Sequence, residues 1–247
     1  MAIIGKGLSV LALKALISVT TKPGSTVTFK LGSVTMSTQT ANSSGVCSLE
    51  VLVPNFGTWT ISAVNGTASG SATVTVSDTV TYSVTVNMVM YLIRNGNFSS
   101  GFSHTLVPPT GSTNCGFTDD GDYIHLHTLL TNHSWQRCAG YFSAINFSDG
   151  FWKNIVIDYQ AEGDPARVGL VSGTPTYDPS YSVYKNLNSR NTNLTARATS
   201  TLDISSQSGS KYVTLRAAAW TYEDEWGTVM GWTAGRLYVY NLYLRSY

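Results

Sequence analysis

Charge is what this sequence has least of. Asp, Glu, Lys and Arg make up 12% of its 247 residues, against ~25% in an average soluble domain. The balance is close to neutral, with 15 basic and 14 acidic residues and a formal net charge of +1. No overall electrostatic argument therefore points to nucleic acid, an anionic membrane or an acidic substrate. Cysteine is scarce too. Cys47, Cys115 and Cys138 form an odd set without a CxxC spacing, which excludes a disulfide-stapled scaffold and fits a chain folded in a reducing compartment. Pairing of Cys115 with Cys138 stays open. Long apolar runs are confined to MAIIGKGLSVLALKALISV at the start, where Lys14 interrupts the run and no small-x-small cleavage site follows. That excludes a membrane span of ~20 uninterrupted apolar residues and argues against a signal peptide. We expect an N-terminal arm over residues 1–16, or equally a frayed tail ahead of the first strand.

Thr, Ser, Asn, Gly and Tyr fill the space that charge leaves. From Ile17 to Ala63 the chain runs in short β-branched and apolar segments punctuated by Pro23-Gly24, Asn42–Gly45, and Pro54-Asn55 with Gly57. Val27 and Phe29 alternate with Thr26, Thr28 and Lys30, the period of two of a half-buried strand. Asn65-Gly66 is a hairpin signal, and ATVTV and VTYSVTV close the region with strict alternation. The expectation is an antiparallel sandwich over residues 17–88. From Tyr91 the style changes to longer loops between strand candidates at Tyr123–Leu129, Ala139–Phe142, Asn154–Tyr159, Arg167–Leu170, Leu194–Ile204, Lys211–Ala219 and Gly235–Leu244. Residues 91–247 form the expected second all-β domain.

Two resemblances follow from these residues. VTTKPGSTVTF, the Ser44-Gly45 turn, Gly57-Thr58-Trp59-Thr60-Ile61, Asn65-Gly66 and the closing TVTVSDTVTYSVTV resemble the carboxypeptidase-regulatory or transthyretin-like sandwich over about seventy residues, an Ig-like module. That family supplies modules to secreted bacterial proteins and phage virion proteins, and the resemblance implies that Trp59 is core. The opening Asn95-Gly96-Asn97-Phe98 with Gly101-Phe102, and the closing GRLYVYNLYL, are similar to galactose-binding-like jelly rolls of many carbohydrate-binding modules. The resemblance implies that the first tract is an edge strand burying Phe98. Such jelly rolls often carry a structural calcium; Asn97 matches one ligand position, but the chain end NLYLRSY lacks the matching acid, so no metal or other cofactor is expected.

Candidate sites divide by chemistry. His125 and His127 stand at i and i+2 in YIHLHTLL and share one strand face. Neither His104, His133, a carboxylate nor a cysteine stands at a spacing that completes a metal set, so a surface pair is the expectation. No Gly-x-Ser-x-Gly, Cys-His or His-Glu-x-x-His pattern accompanies Asp119, Asp120 or Asp122. The remaining acids sit mostly in Gly- or Pro-flanked loops, as turn formers do, and Asp119-Asp120-Gly121-Asp122 lacks EF-hand spacing. We expect no catalytic residues. Aromatics are the richer supply: Trp135, Trp152, Trp220, Trp226 and Trp232 all fall in the second half. Apolar sugar faces stack on exposed indole and phenol rings, so Trp226, Tyr181, Tyr177, Trp220 and Tyr222 are the candidate ligand-binding residues. Core and interface packing is the competing role, evenly balanced for Trp226 and Tyr181; for Trp152, core is expected.

The combined reading is a non-enzymatic structural or adhesive subunit of a bacteriophage particle. It would sit in the virion beside other virion proteins, as a homo-oligomer with a trimer expected, and bind host or mucus glycans through its second domain. No nucleic-acid or membrane partner is expected. The alternatives are a bacterial cell-surface or secreted carbohydrate-binding module and, third, a glycan-degrading enzyme.

Overall fold

The computed structural model describes residues 13–109, 115–128, 136–189, 192–223 and 229–247, with the backbone alone described at 136, 220–223 and 229–233. The chain is all-β. It divides into two compact units, the first ending at Met88 and the second beginning at Val89. No described helix is long and apolar enough to cross a membrane.

In the first unit, β1 (Lys14–Thr20), β2 (Thr26–Leu31), β3 (Val34–Thr40), β4 (Val46–Leu52), β5 (Gly57–Asn65), β6 (Ala68–Val76) and β7 (Thr81–Thr85) follow one another. β1 begins at Lys14 rather than Ile17, and residues 1–12 of the expected arm lie outside the described residues. One sheet has the order β4-β1-β7; β2, β3, β5 and β6 pair antiparallel in the order β3-β2-β5-β6. The sandwich is not wholly antiparallel, because β1 pairs β7 in parallel. The first and last strands of the unit lie side by side after the chain has crossed between sheets, and a crossover restores direction where a hairpin reverses it. Ile17, Val19, Val27, Phe29, Trp59 and Ile61 are all buried to 1% exposure or less, the inward half of each alternating pattern. Trp59 is core, with its indole Nε1 donating to the Asn55 carbonyl at 3.2 Å.

The β5–β6 hairpin pairs Asn65 with Ala68, so its two-residue loop is Gly66-Thr67, one position later than Asn65-Gly66. Gly66 alone takes positive φ there, +58°, as a turn with glycine at its first central position requires. Gly45 is more constrained. Its φ is +77°, and a Cβ there would stand 2.2 Å from the Thr21 carbonyl oxygen, while Thr21 donates its N–H to the Gly45 carbonyl at 2.8 Å.

The second unit continues with β8 (Val89–Arg94), β9 (Asn97–Phe98), β10 (His104–Val107), β11 (Cys115–Asp119), β12 (Ile124–Thr128), β13 (Gln136–Phe142) and β14 (Ile145–Asn146). Then come β15 (Asn154–Glu162), β16 (Asp164–Val171), β17 (Tyr181–Asn186), β18 (Ala198–Asp203), β19 (Ser210–Glu223), β20 (Val229–Thr233) and β21 (Gly235–Arg245). One sheet runs β10-β13-β19-β16-β17. The other is built on β21, with β15 along one side and β12 then β8 along the other; β11 pairs β12 and β18 pairs β15. The two form a jelly-roll sandwich. Inward residues such as Leu126, Ile157, Leu215, Val213, Leu237 and Leu242 are at 0% exposure, and Trp152 is core at 3%.

Asn95-Gly96 closes the β8–β9 hairpin, making β9 the short edge strand expected. Phe98 is half-buried there, stacked on His104 with ring centroids 3.6 Å apart and edge-on to Phe117. Asp119-Asp120-Gly121-Asp122 is the β11–β12 turn, the Asp119 carboxylate accepting the Gly121 N–H at 2.9 Å. Cys115 and Cys138 are not joined in a disulfide; Cys138 donates to the His127 carbonyl at 3.1 Å. Leu194–Arg197 precedes rather than belongs to β18, because Thr195 instead binds across to Ala161 through backbone and hydroxyl.

Gly45→Ala is expected to destabilise the first unit by about 3 kcal/mol or more, since it adds a backbone clash to left-handed strain. Gly32→Ala should cost only about 1–2 kcal/mol, because Gly32 also has positive φ, +60°, but opens onto free space. Calorimetric unfolding of the two variants measures the gap; equal losses would mean that the Thr21 contact yields without cost.

Candidate functional site

Alternation leaves each sheet of the second unit with an outward face. On the β10-β13-β19-β16-β17 sheet, Ala139, Tyr141 and Val171 are buried on that face, with Val107, Tyr181 and Tyr212 packed against them. The segment between β16 and β17 covers this patch. The Tyr141 hydroxyl donates to the Thr176 carbonyl at 2.7 Å and accepts the Thr176 N–H at 3.0 Å, which fixes the segment that carries Tyr177 and Asp178.

Beside the patch lies a knot of charge. Arg167 on β16 is directly opposite Arg216 on β19, a like-charged cross-strand pair that is unfavourable by itself. Asp178 bridges two arginines: Oδ1 accepts from Arg216 Nη1 at 3.1 Å, and Oδ2 accepts from Arg137 Nη1. Arg216 also donates through Nη2 to the Pro165 carbonyl at 3.2 Å. Arg216 is 2% exposed, and its Nε is buried with no hydrogen-bond partner. Burial opposes its charge and lowers its pKa. Arg167 donates through Nε to the Asn186 side-chain oxygen at 2.9 Å and lies with its Cζ 4.6 Å over the Tyr184 ring.

Of the sequence candidates, two meet here in different roles. Tyr177 is exposed at 45%. Tyr181 is not a free platform: its ring is packed into the patch and its hydroxyl is buried without a partner, and burial pushes its pKa up. Tyr184, exposed at 47% and 5.2 Å from Tyr181 between ring centroids, is the open ring that sequence reasoning missed, along with Arg137, Arg167 and Arg216. The available signal was local: Arg167 and Arg216 each interrupt a run of otherwise apolar residues, 166–171 and 215–219. Trp220 and Tyr222 lie on the β19 portion paired with β20, where only the backbone is described, and Trp226 lies outside the described residues.

The opposite sheet has a second aromatic face. His125 and His127 are half-buried, with ring centroids 4.6 Å apart, and His125 stacks on Tyr238 at 4.6 Å. Tyr123 meets Tyr238 edge-on at 5.0 Å, and Arg197 lies 3.8 Å over Tyr240. Arg197 also holds the Asp158 carboxyl below its ordinary pKa. Among the described residues no three His, Cys, Asp and Glu converge as a metal set. A separate hollow of about 390 Å³ in the first unit is lined by Lys14–Leu16, Glu50 and Thr79–Thr81, with no aromatic ring to receive a sugar.

No protein-family model matches this chain, and no curated protein matches its sequence. Among solved structures it is similar to a family 29 carbohydrate-binding module, at 12% identity and a TM-score of 0.40 over 65% of this chain and 89% of that one. It is similar to the same degree to a point mutant of CBM29-2 complexed with cellulohexaose, covering 92% of that chain. A second CBM29-2 point mutant, complexed with mannohexaose, gives the same coverage and score. At this level of likeness, the functional reading rests on the side chains described above.

His125 gives the face a pH response. Desolvation, then the His127 charge, with Arg236 adding and Asp120 at 3.7 Å opposing, lowers its pKa from 6.5 to about 4. The unfolded chain therefore takes up a proton near 6.5 that the folded chain refuses until about 4. Stability should fall as pH drops through this window, by at most about 1.4 kcal/mol per pH unit, and level off below it. Melting temperatures between pH ~7 and ~4 should decline less steeply in His125→Gln; parallel declines would contradict the assignment.

Proposed function

We propose that the second unit binds glycans on the outward face of the β10-β13-β19-β16-β17 sheet, without catalysing their turnover. One observation carries the reading: an open phenol ring, Tyr184, shares a rigid sheet face with side chains that hydrogen-bond in fixed directions, Arg137, Arg167, Asn186 and Asp178, and Tyr177 stands exposed on the segment tied to that face. Rings supply stacking for the apolar faces of sugars, and charged or amide groups meet hydroxyls. The half-buried Tyr181 stiffens the floor beneath them. Trp220, Tyr222 and Trp226, the remaining candidates of the sequence, are proposed to extend the contact surface.

At the level of biology, the proposal is a structural and adhesive subunit of a bacteriophage particle, assembled with other virion proteins and as a homo-oligomer, with a trimer expected. The low charge and Thr/Ser/Asn-rich sequence, together with two β-sandwich units in tandem, support this placement. Weak single-site affinity would then be raised by multivalency.

Light scattering on the full chain tests the assembly, and a stable oligomer that survives dilution is the expected result. A monomer that binds polysaccharide would instead favour a cell-surface or secreted module. Tyr184→Ala should weaken oligosaccharide binding about three- to tenfold, the worth of one lost ring contact, with little change in melting temperature because Tyr184 is exposed. Unchanged binding would remove this face from the site.

A further inference from the structure

Among the described residues, Arg216 and Arg167 hold their positive charge on few acceptors. Arg216 shares the single carboxylate of Asp178 with Arg137, and Arg167 bonds to the neutral side chain of Asn186. Three features indicate that the face is built to receive a further anion. Arg167 and Arg216 stand opposite one another across adjacent strands, an arrangement that repels unless an anion lies near. Arg216 is desolvated at 2% exposure, yet Nε has no acceptor, so one edge of its planar fork is unused. Asp178 does not take that edge: it splits its two oxygens between Arg137 and Arg216 rather than gripping either one bidentately.

Asp178 is also the most accessible member of the bridge. Its side chain is 39% exposed, against 3% for Arg216, and it is carried on the segment between β16 and β17 rather than on a strand. Turning one side chain outward would release the Nη1 groups of both arginines without disturbing the sheet. The Tyr141–Thr176 hydrogen bonds anchor the backbone two residues earlier.

We propose that the glycan taken by this face is acidic, and that Asp178 occupies the place of its carboxylate. Resting on the glycan-binding reading above, the inference names the class of sugar: a uronic or other carboxylated residue. Its carboxylate accepts from Arg216 and Arg137 as Asp178 swings aside, while Tyr184 and Tyr177 receive the flat faces of neighbouring sugars. A carboxylate matches the guanidinium fork in geometry as well as charge. The near-neutral charge of the whole chain is no obstacle, because the field at the site is set by the few groups within a Debye length of it, ~8 Å at physiological salt.

The test is calorimetric titration of the full chain with hexagalacturonate, cellohexaose and mannohexaose, at about 50 mM and about 500 mM salt. Hexagalacturonate should bind at least about tenfold more tightly than either neutral hexaose, and its advantage should shrink at high salt. Asp178→Asn, which removes the internal competitor, should tighten hexagalacturonate binding by about tenfold and leave the neutral sugars unmoved. Arg216→Met should lose most of the acidic binding; since Arg216 is buried, Arg137→Gln serves as a second variant that leaves the packed face intact. Neutral sugars binding as well as the uronate would overturn the inference while the glycan reading stands. Weaker uronate binding by Asp178→Asn would overturn the displacement. No binding of any of the three would sink both readings.

Discussion

Burial of one side of every strand is the constraint on which the rest of the second unit depends. β19 and β21 run through the middles of their sheets, and their inward residues, Val213, Leu215, Leu237 and Leu242 among them, are withdrawn from water completely. At ~25 cal/mol per Å² of apolar surface, that commitment fixes the register, because a slip of one residue would turn each apolar side chain outward. The outward side is then determined as well. Arg216 stands where it does because Leu215 and Ala217 point the other way, and Arg167 is brought opposite to it by the same pairing that buries Val168 and Leu170.

A buried guanidinium is expensive to keep, since isolated charge is strongly disfavoured away from water. The face lowers this cost by supplying Asp178 and the Pro165 carbonyl as acceptors. The compensation is partial, because the Nε edge of Arg216 is left over. Replacing such a cluster with apolar side chains is often neutral or stabilising in proteins generally, so stability alone gives little reason for three arginines to gather here. The His125–His127 face shows the contrasting solution. There desolvation and mutual repulsion are relieved by keeping the imidazoles neutral, an option that arginine lacks at any ordinary pH.

How much of this could be read from the residues differs from element to element. The core position of Trp59 was implied by the resemblance to the transthyretin-like sandwich, whereas the alternation of Val27 and Phe29 with threonine and the closing strand GRLYVYNLYL were legible because burial imposes a period of two on composition. β17 was not. Its residues are mostly exposed, as suits the edge of a sheet, and Asp178-Pro179 ahead of it reads as a loop, so Tyr181 and Tyr184 could not be assigned to a strand. The parallel pairing of β1 with β7 was likewise hidden, because alternation reports a strand and not its partner. The gathering of the arginines was invisible for another reason. Arg137, Arg167 and Arg216 are separated by 30 and 49 positions in sequence, and no short-range pattern marks residues whose only connection is the registry of three strands.

The same registry determines what a rigid face can discriminate. Because the sheet is formed before any ligand arrives, little ordering cost falls on binding, and selectivity turns on what replaces Asp178. A neutral sugar that displaced it would offer hydroxyl oxygens to two guanidinium groups, one of them desolvated, and take away the counter-ion they share. A neutral sugar that left Asp178 in place would reach only Tyr177, Tyr184 and Arg167. A carboxylated sugar seated in place of Asp178 restores both ion pairs. Such discrimination comes as much from the penalty imposed on the wrong ligand as from the contacts offered to the right one, and here the penalty is built from the same carboxylate that holds the empty face together.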